Sequence, residues 1–346
     1  MSDRKVTMSD IARLSDASPT TVSLVLRDKP GISTETRDRV LAAAQSLGYR
    51  HRAIRANPER TDMRNVAMLL RARSRNQLQQ PPGVNAFYSW VLTGLEAQAR
   101  VARLNLIYAH LPVDERNAIL DIPHHLLDQP LTGAIIVGPF SDESVDQLLA
   151  KNPVPAVLVD APSIPRKYDV IASDNETGAW LAVRHLIENG HRDIGLIAPD
   201  SQSDPNFGQR AAGYRQAILD ADLMACHGRI VGDDVGSAVA TLLTTHPKVS
   251  AIFCVNDSFA MAAIAAANAL GRGVPHDLSV VGFDDTDHAE RTRPPLTTMA
   301  VDKVGMGRLA IQMLDFRISW PESSVMCTTL TPRLVERESV SRKKGL

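Results

Sequence analysis

The chain has only three cysteines in 346 residues, spread far apart at Cys226, Cys254 and Cys327. They form no CxxC pair and no metal-ligand set, and an odd number argues against a disulfide framework. This pattern points to a reducing cytoplasm. Long hydrophobic runs are missing too: no apolar stretch approaches the roughly 18 residues of a membrane-spanning helix. The opening MSDRKVTMSD has no apolar h-region, so no signal peptide is expected. Catalytic signatures are equally absent. There is no GxSxG elbow, no P-loop, no GxGxxG after a strand and no HExxH. No acid is paired with a nucleophile, which argues against an enzyme, and no cofactor is implied. His124-His125 and Asp287-His288 lack the spacing of metal ligands, so no metal site is expected.

What is present is ordinary in bulk and uneven in layout. A hydrophobic fraction of 44% and a charged fraction of 22% suit a soluble globular protein. The length suggests about two or three domains. Formal net charge is −1, but residues 1–64 hold twelve basic and eight acidic residues, a net +4, and the remainder holds 26 and 31, a net −5. A basic head on an acidic body fits phosphate contact at one end. Random scatter is the alternative for so small a bias.

Residues 6–49 read as three short helices. Thr7 can cap the first, with Asp10 at its third position. Ile11, Ala12 and Leu14 are expected to face inward. The tight turn Ser15-Asp16-Ala17 leads to Ser18, which caps a second helix with Pro19 at its first position. Val22, Val25 and Leu26 form its buried stripe. Ser33 caps a third helix with Val40, Leu41, Ala44 and Leu47 apolar, ending at Gly48. This is a helix-turn-helix, whose second helix is built to lie in the DNA major groove.

Residues 50–65 are polar and basic and read as a linker. Beyond them, apolar runs alternate with helical stretches. VAMLL, LNLIYAH, GAIIVGP, AVLVD, DIGLIAP, AIFCVND and LSVVGFDD read as strands, and 88–103, 175–189, 207–221 and 258–271 as helices. Continuous Val/Ile/Leu runs suit parallel strands buried on both faces. About eight strands imply two doubly wound sheets. Asp160, Asn256-Asp257 and Asp284-Asp285 stand at strand ends, where such sheets bind ligands. With Arg210, these acids and amides suit a hydroxyl-rich small molecule.

The stretches SDIARLSDASPTTVSLVL and KPGISTETRDRVLAAAQSLGYR, with SDNETGAWLAVRHLIENGHRDIGLIA, RAAGYRQAI, FCVNDSFAMAAIAAANALGRGVPHDLSVVGFDDT, PPLTTMAVD and TPRLVERES, resemble the LacI/GalR family of bacterial transcription regulators. The resemblance spans nearly the whole chain. It implies an α helix-turn-helix head at 1–49, a hinge at 50–65, and an α/β two-lobed periplasmic-binding-protein-like body crossed three times by the chain. By similarity the N-terminal lobe is 66–171 with 299–322, and the C-terminal lobe is 172–298 with 323–340. The implied partners are a near-palindromic double-stranded DNA operator, a small sugar or sugar-derivative effector in the cleft, and a second copy of the chain. The short C-terminal SRKKGL favours a dimer. A sugar-binding receptor without DNA role would share the body but lack the head.

Carried over by position, Thr7, Ser18, Thr21 and Ser23 cap or meet phosphates, and Pro19, Thr20 and Leu24 occupy base-reading places. Family members often carry Arg at the Leu24 position; leucine cannot pair with guanine, though it can touch a thymine methyl. Tyr49, Arg52 and Arg55 are placed at the hinge and its phosphates. Pro58 stands where the family has a minor-groove leucine wedge; proline can wedge but breaks a helix interior. In the body, Phe87, Asp160, Arg210, Asn256 and Asp284 match effector positions, while Asp257 and Asp285 read as capping or turn residues. Arg71, Arg73 and Arg75 lie on an extended loop after the first strand. They are either a solvated extension or a cleft mouth suited to an acidic or phosphorylated effector.

Overall fold

The structure is a computed structural model that describes residues 7–26, 32–47, 64–72, 86–127, 130–161, 167–199, 204–230 and 234–343. The chain divides into two compact units, Met1–Asp62 and Met63–Leu346.

The first unit holds α1 (Met8–Leu14), α2 (Pro19–Leu26) and α3 (Thr34–Ser46). Thr7 opens α1 by donating its N–H and its hydroxyl to the Asp10 carboxylate, at 2.9 and 2.7 Å. The turn closes with the Ser15 hydroxyl on the Ile11 carbonyl at 2.8 Å and with Asp16 at φ +46°. Ser18 and Ser33 cap α2 and α3 by accepting the Thr21 and Thr36 N–H groups at 3.0 and 3.3 Å. Ile11, Val22, Val25 and Val40 form the buried centre. Leu14 and Leu41, expected inside, are 56% and 38% exposed. Three helices this short share one inner face, and these residues already fill it.

The second unit runs β1 (Arg64–Ala72), α4 (Ala86–Ala102), β2 (Leu104–Pro112), α5 (His124–Leu127), β3 (Gly133–Val137), α6 (Asp142–Lys151), β4 (Ala156–Val159) and β5 (Asp169–Ser173). It continues α7 (Asn175–Glu188), β6 (Ile194–Pro199), α8 (Pro205–Asp220), β7 (Cys226–Ile230), α9 (Val235–Thr245), β8 (Ala251–Cys254), α10 (Asp257–Ala269) and β9 (Ser279–Val281). It closes with β10 (Thr298–Ala300), α11 (Lys303–Ser319), β11 (Cys327–Leu330) and β12 (Arg333–Val335).

The strands make two parallel sheets. The first has the order β11-β5-β4-β3-β1-β2, the second β7-β6-β8-β9. Alternate strand residues enter different cores. In β1, Val66, Met68 and Leu70 pack with α4 and α11, and Ala67 and Leu69 pack with α6. In the second sheet, Leu196 and Phe253 pack with α7 and α8, and Ile197 and Ile252 with α9 and α10. Burial on both faces explains the unbroken apolar runs. Strand order reverses between β1 and β3, and again between β6 and β8, so each sheet has a switch point where its carboxyl ends can line a crevice.

The lobe boundaries differ from the similarity-based division by about two residues at β1, β5 and β10, and by more at the C-terminal end. Residues 323–340 were expected in the second lobe, yet β11 pairs with β5 in the first sheet. Its CTTL sequence, alternately exposed and half-buried, suits an edge strand. The chain passes between the lobes after β5, between β10 and α11, and between β11 and β12. These passages are bonded to one another: Asp174 N–H donates to the Leu330 carbonyl at 3.0 Å, and β10 pairs antiparallel with β12.

In the first lobe α4 and α11 cross almost backbone to backbone. A Cβ on Gly94 would lie 2.1 Å from the Val304 carbonyl oxygen, and one on Gly307 would lie 2.2 Å from that of Val91. Neither obstacle is a movable side chain. Gly307→Ala is therefore expected to cost about 1–3 kcal/mol and to lower the Tm. Gly236→Ala on α9, whose Cβ would meet only the Asp234 side chain at 3.5 Å, is the control and should be neutral or stabilising in the same thermal melt.

Candidate DNA-reading head and effector cleft

On the head, Ser18, Pro19, Thr20 and Leu24 are exposed along α2, and Thr7 is exposed at the start of α1. Thr21 and Ser23 are half-buried, and the Thr21 hydroxyl lies 2.8 Å from that of Ser18. The expected base-reading side chains thus share an outward face, while Val22 and Val25 face the core. Tyr49, Arg52, Arg55 and Pro58 lie outside the described residues, as do Arg73 and Arg75.

In the body the organising side chain is Arg210 of α8, only 2% exposed. Its Nε donates to Asn175 Oδ1 at 2.8 Å and its Nη1 to the Val255 carbonyl beyond β8, also at 2.8 Å. Nη1 further pairs with Asp284 Oδ1 at 2.9 Å. The guanidinium lies over the Phe283 ring, 3.9 Å from its centroid. Asn175 donates to Asn206 Oδ1 at 3.0 Å, and Asn206 donates to the Asp160 carbonyl at 3.2 Å. Two amides therefore connect the arginine of the second lobe to the acid that ends β4 in the first.

Asp160 is 5% exposed. Its Oδ2 accepts from the Tyr88 hydroxyl at 3.0 Å, and its Oδ1 has no hydrogen-bond partner among the described residues. Asp160, Asp284 and Asp285 adopt φ of +57°, +109° and +50°. Such left-handed backbone is costly for residues with a Cβ and is characteristic of functional turns. Lys303, at the start of α11, holds the turn by donating Nζ to the carbonyls of Asp284 and, at 3.1 Å, Asp285.

The structure brings Asp160, Arg210 and Asp284 together. Asn256 caps α10, its Oδ1 accepting the Phe259 N–H at 2.7 Å, so only its amide N–H groups are left to face a ligand. Phe87 is 5% exposed and belongs to the apolar core; its neighbour Tyr88 reaches the acid instead. Asp257 accepts from the Thr286 N–H at 2.7 Å and the Thr298 hydroxyl at 2.5 Å, and Asp285 pairs with Arg337 at 2.8 Å, so both brace the turn. Arg71, at the end of β1, donates to Asn117 Oδ1. The sequence reading missed Tyr88, Asn175, Asn206 and Lys303. One signal was available: Asn206 lies four residues before Arg210, on the same face of a helix.

Burial pushes the Asp160 carboxyl up to about 7, with Asp204 adding to the rise and Arg210 opposing it. Asp257 is pushed up to about 7 by burial and then by Asp284. Burial also raises Asp284, against the pull of Arg210 and Lys303, and lowers the Lys303 ammonium.

Comparisons with known proteins agree with both units. Residues 7–51 match the family model "Bacterial regulatory proteins, lacI family", and residues 183–340 match a periplasmic binding protein-like domain. Catabolite control protein A of Priestia megaterium is 30% identical over 315 residues, 89% of this chain and 91% of that protein. The ribose operon repressor of Haemophilus influenzae is 29% identical over 341 residues, 96% of this chain and 98% of that protein. Among solved structures, a transcriptional regulator CelR–cellobiose complex superposes with a TM-score of 0.68 at 28% identity, covering 96% of this chain and 99% of that one. The Lac repressor dimer bound to operator has a TM-score of 0.66 at 23% identity, covering 98% and 100%. The chain belongs to the LacI family of bacterial regulatory proteins. It is a DNA-binding transcriptional regulator controlled by a small-molecule effector.

The raised carboxyls set a pH dependence. Asp160 and Asp257 hold a proton more tightly in the folded body than in the unfolded chain. Between about pH 4 and about pH 7 the folded state binds more protons, so this contribution to stability falls as pH rises. Asp160→Asn should therefore raise the Tm at about pH 8, by on the order of 1–3 kcal/mol of stability. The advantage should shrink as the pH falls toward about 4. Melts of both proteins across that range check the sign; a pH-independent difference would contradict it.

Proposed function

We propose that the chain is a cytoplasmic repressor, without enzymatic activity, that binds a near-palindromic operator as a homodimer and a neutral, hydroxyl-rich effector between its lobes. The head is 1–49, and the hinge spans 50 to the start of β1 at Arg64. Thr7, Ser18, Pro19, Thr20, Thr21, Ser23 and Leu24 meet DNA from the head, with Tyr49, Arg52, Arg55 and Pro58 at the hinge. Asp160, Arg210, Asn256 and Asp284 meet the effector, with Phe87 and the adjoining Tyr88 as the aromatic side of the site.

The observation that carries this reading is the Oδ1 of Asp160, unpartnered among the described residues, in a residue 5% exposed beside the Arg210–Asp284 pair. A buried acceptor left unpaired is costly, and a sugar hydroxyl supplies the missing donor. Charge favours a neutral sugar over an acidic or phosphorylated effector. Arg210 is already paired with Asp284 and Lys303 with two carbonyls, so neither cation is left over for an anionic group. The cellobiose bound to the CelR relative and the name of the ribose repressor support a sugar.

Footprinting the protein on its own upstream region, repeated across a panel of sugars and sugar acids, tests both halves. Protection of a near-palindrome is expected, weakening by about 10³-fold or more between about 50 and about 200 mM salt. Neutral sugars, rather than sugar acids, should change it. Arg210→Lys keeps the charge but loses the planar fork. It should weaken the effector response by about tenfold or more and leave operator affinity within about threefold. Loss of operator binding with an intact sugar response would overturn the assignment.

A further inference from the structure

One loop of the second lobe is held from the first lobe at two places. The loop is 284–287, which carries the effector-facing Asp284. Lys303, on α11, donates to the carbonyls of Asp284 and Asp285. Trp90, on α4, donates its indole N–H to Asp287 Oδ1 at 3.0 Å. Within the second lobe, the loop is anchored by Arg337 on the Asp285 carboxylate and by Asp257 on Thr286.

The two first-lobe donors do not move independently. Trp90 is four residues from Gly94, and Lys303 is four from Gly307, the two glycines at the backbone crossing of α4 and α11. That crossing fuses the helices into one rigid piece. A change in lobe angle must therefore break or re-aim both contacts together, and with them the turn that points Asp284 at Arg210.

We infer that Trp90 and Lys303 are positioning residues that latch loop 284–287 to the first lobe and set the lobe angle of the effector-free protein. This rests on the reading of the cleft as the effector site, but the latch can be measured without an effector. Each contact is individually modest. A two-state lobe equilibrium nevertheless shifts about tenfold for a change no larger than one good hydrogen bond.

Hydrogen exchange on the full-length protein tests the latch. The comparison is between wild type, Trp90→Phe, Lys303→Met and Lys303→Arg. Trp90→Phe keeps one aromatic ring and removes the donor together with the five-membered ring that carries it. Trp90→Phe and Lys303→Met should speed exchange of amides in the first turns of α8 and α10, which line the cleft, by about fivefold or more. Amides in the centres of β1 and β6 should stay at wild-type rates. Lys303→Arg, which keeps a donor, should restore protection. Wild-type rates at the cleft in both donor-deleting variants would overturn the latch. So would equal acceleration in the sheet centres, which would make these residues plain structural supports. Neither outcome bears on whether a sugar binds, so the latch and the effector reading fail separately.

Discussion

An arginine cannot give up its proton inside a protein, so a guanidinium buried as deeply as that of Arg210 must be met on every side. Asn175, the Val255 carbonyl and the Asp284 carboxylate meet its edge, and Phe283 meets its face. Each partner comes from a different part of the second lobe: the start of α7, the end of β8, and the loop after β9. Satisfying one charge therefore fixes three segments against each other. Asn206 then extends the arrangement to Asp160 in the first lobe. The ligand-facing wall follows from this requirement more than from any single loop.

The first lobe supplies a complementary constraint through shape. Because α4 and α11 touch at glycines, Tyr88 at the start of one helix and Lys303 at the start of the other are presented from a single body. Tyr88 steadies Asp160, and Lys303 steadies the left-handed turn at Asp284. Asp160 and the Asp284 that pairs with arginine are thus both supported by one helix pair.

How much of this could be read from the chain depended on burial. Strands such as β1, β3 and β8 are sealed on both faces and show as unbroken apolar runs. DVIAS, CHGRI and CTTL, which form β5, β7 and β11, carry polar residues and gave no strand signal. Misplacing 323–330 followed from this: an edge strand is recognised by what it pairs with, and pairing is not a local property. At the site, Arg210, Asp160 and Asp284 were legible through motif position. Phe87 packs edge-on against Tyr88, and it is Tyr88 that bonds Asp160, a contact that motif position alone does not reveal. Lys303 sits at the head of a helix and looks like any solvated lysine until the turn above it is seen. On the head, Val22 and Val25 face inward and Pro19, Thr20 and Leu24 outward, as the helical period implies; the Leu26 side chain lies outside the described residues.

The three passages between lobes behave like parallel leaf springs. Each is a short segment, and hydrogen bonds along Asp174–Leu330 and the β10–β12 ribbon tie them side by side. A stack of leaves bends readily about the one axis across its width and resists both twist and shear. Bending about that axis is therefore the relative motion of the lobes that costs these bonds least. A ligand at the cleft acts most readily on that one mechanical coordinate, and the signal it sends is carried chiefly by the bending angle.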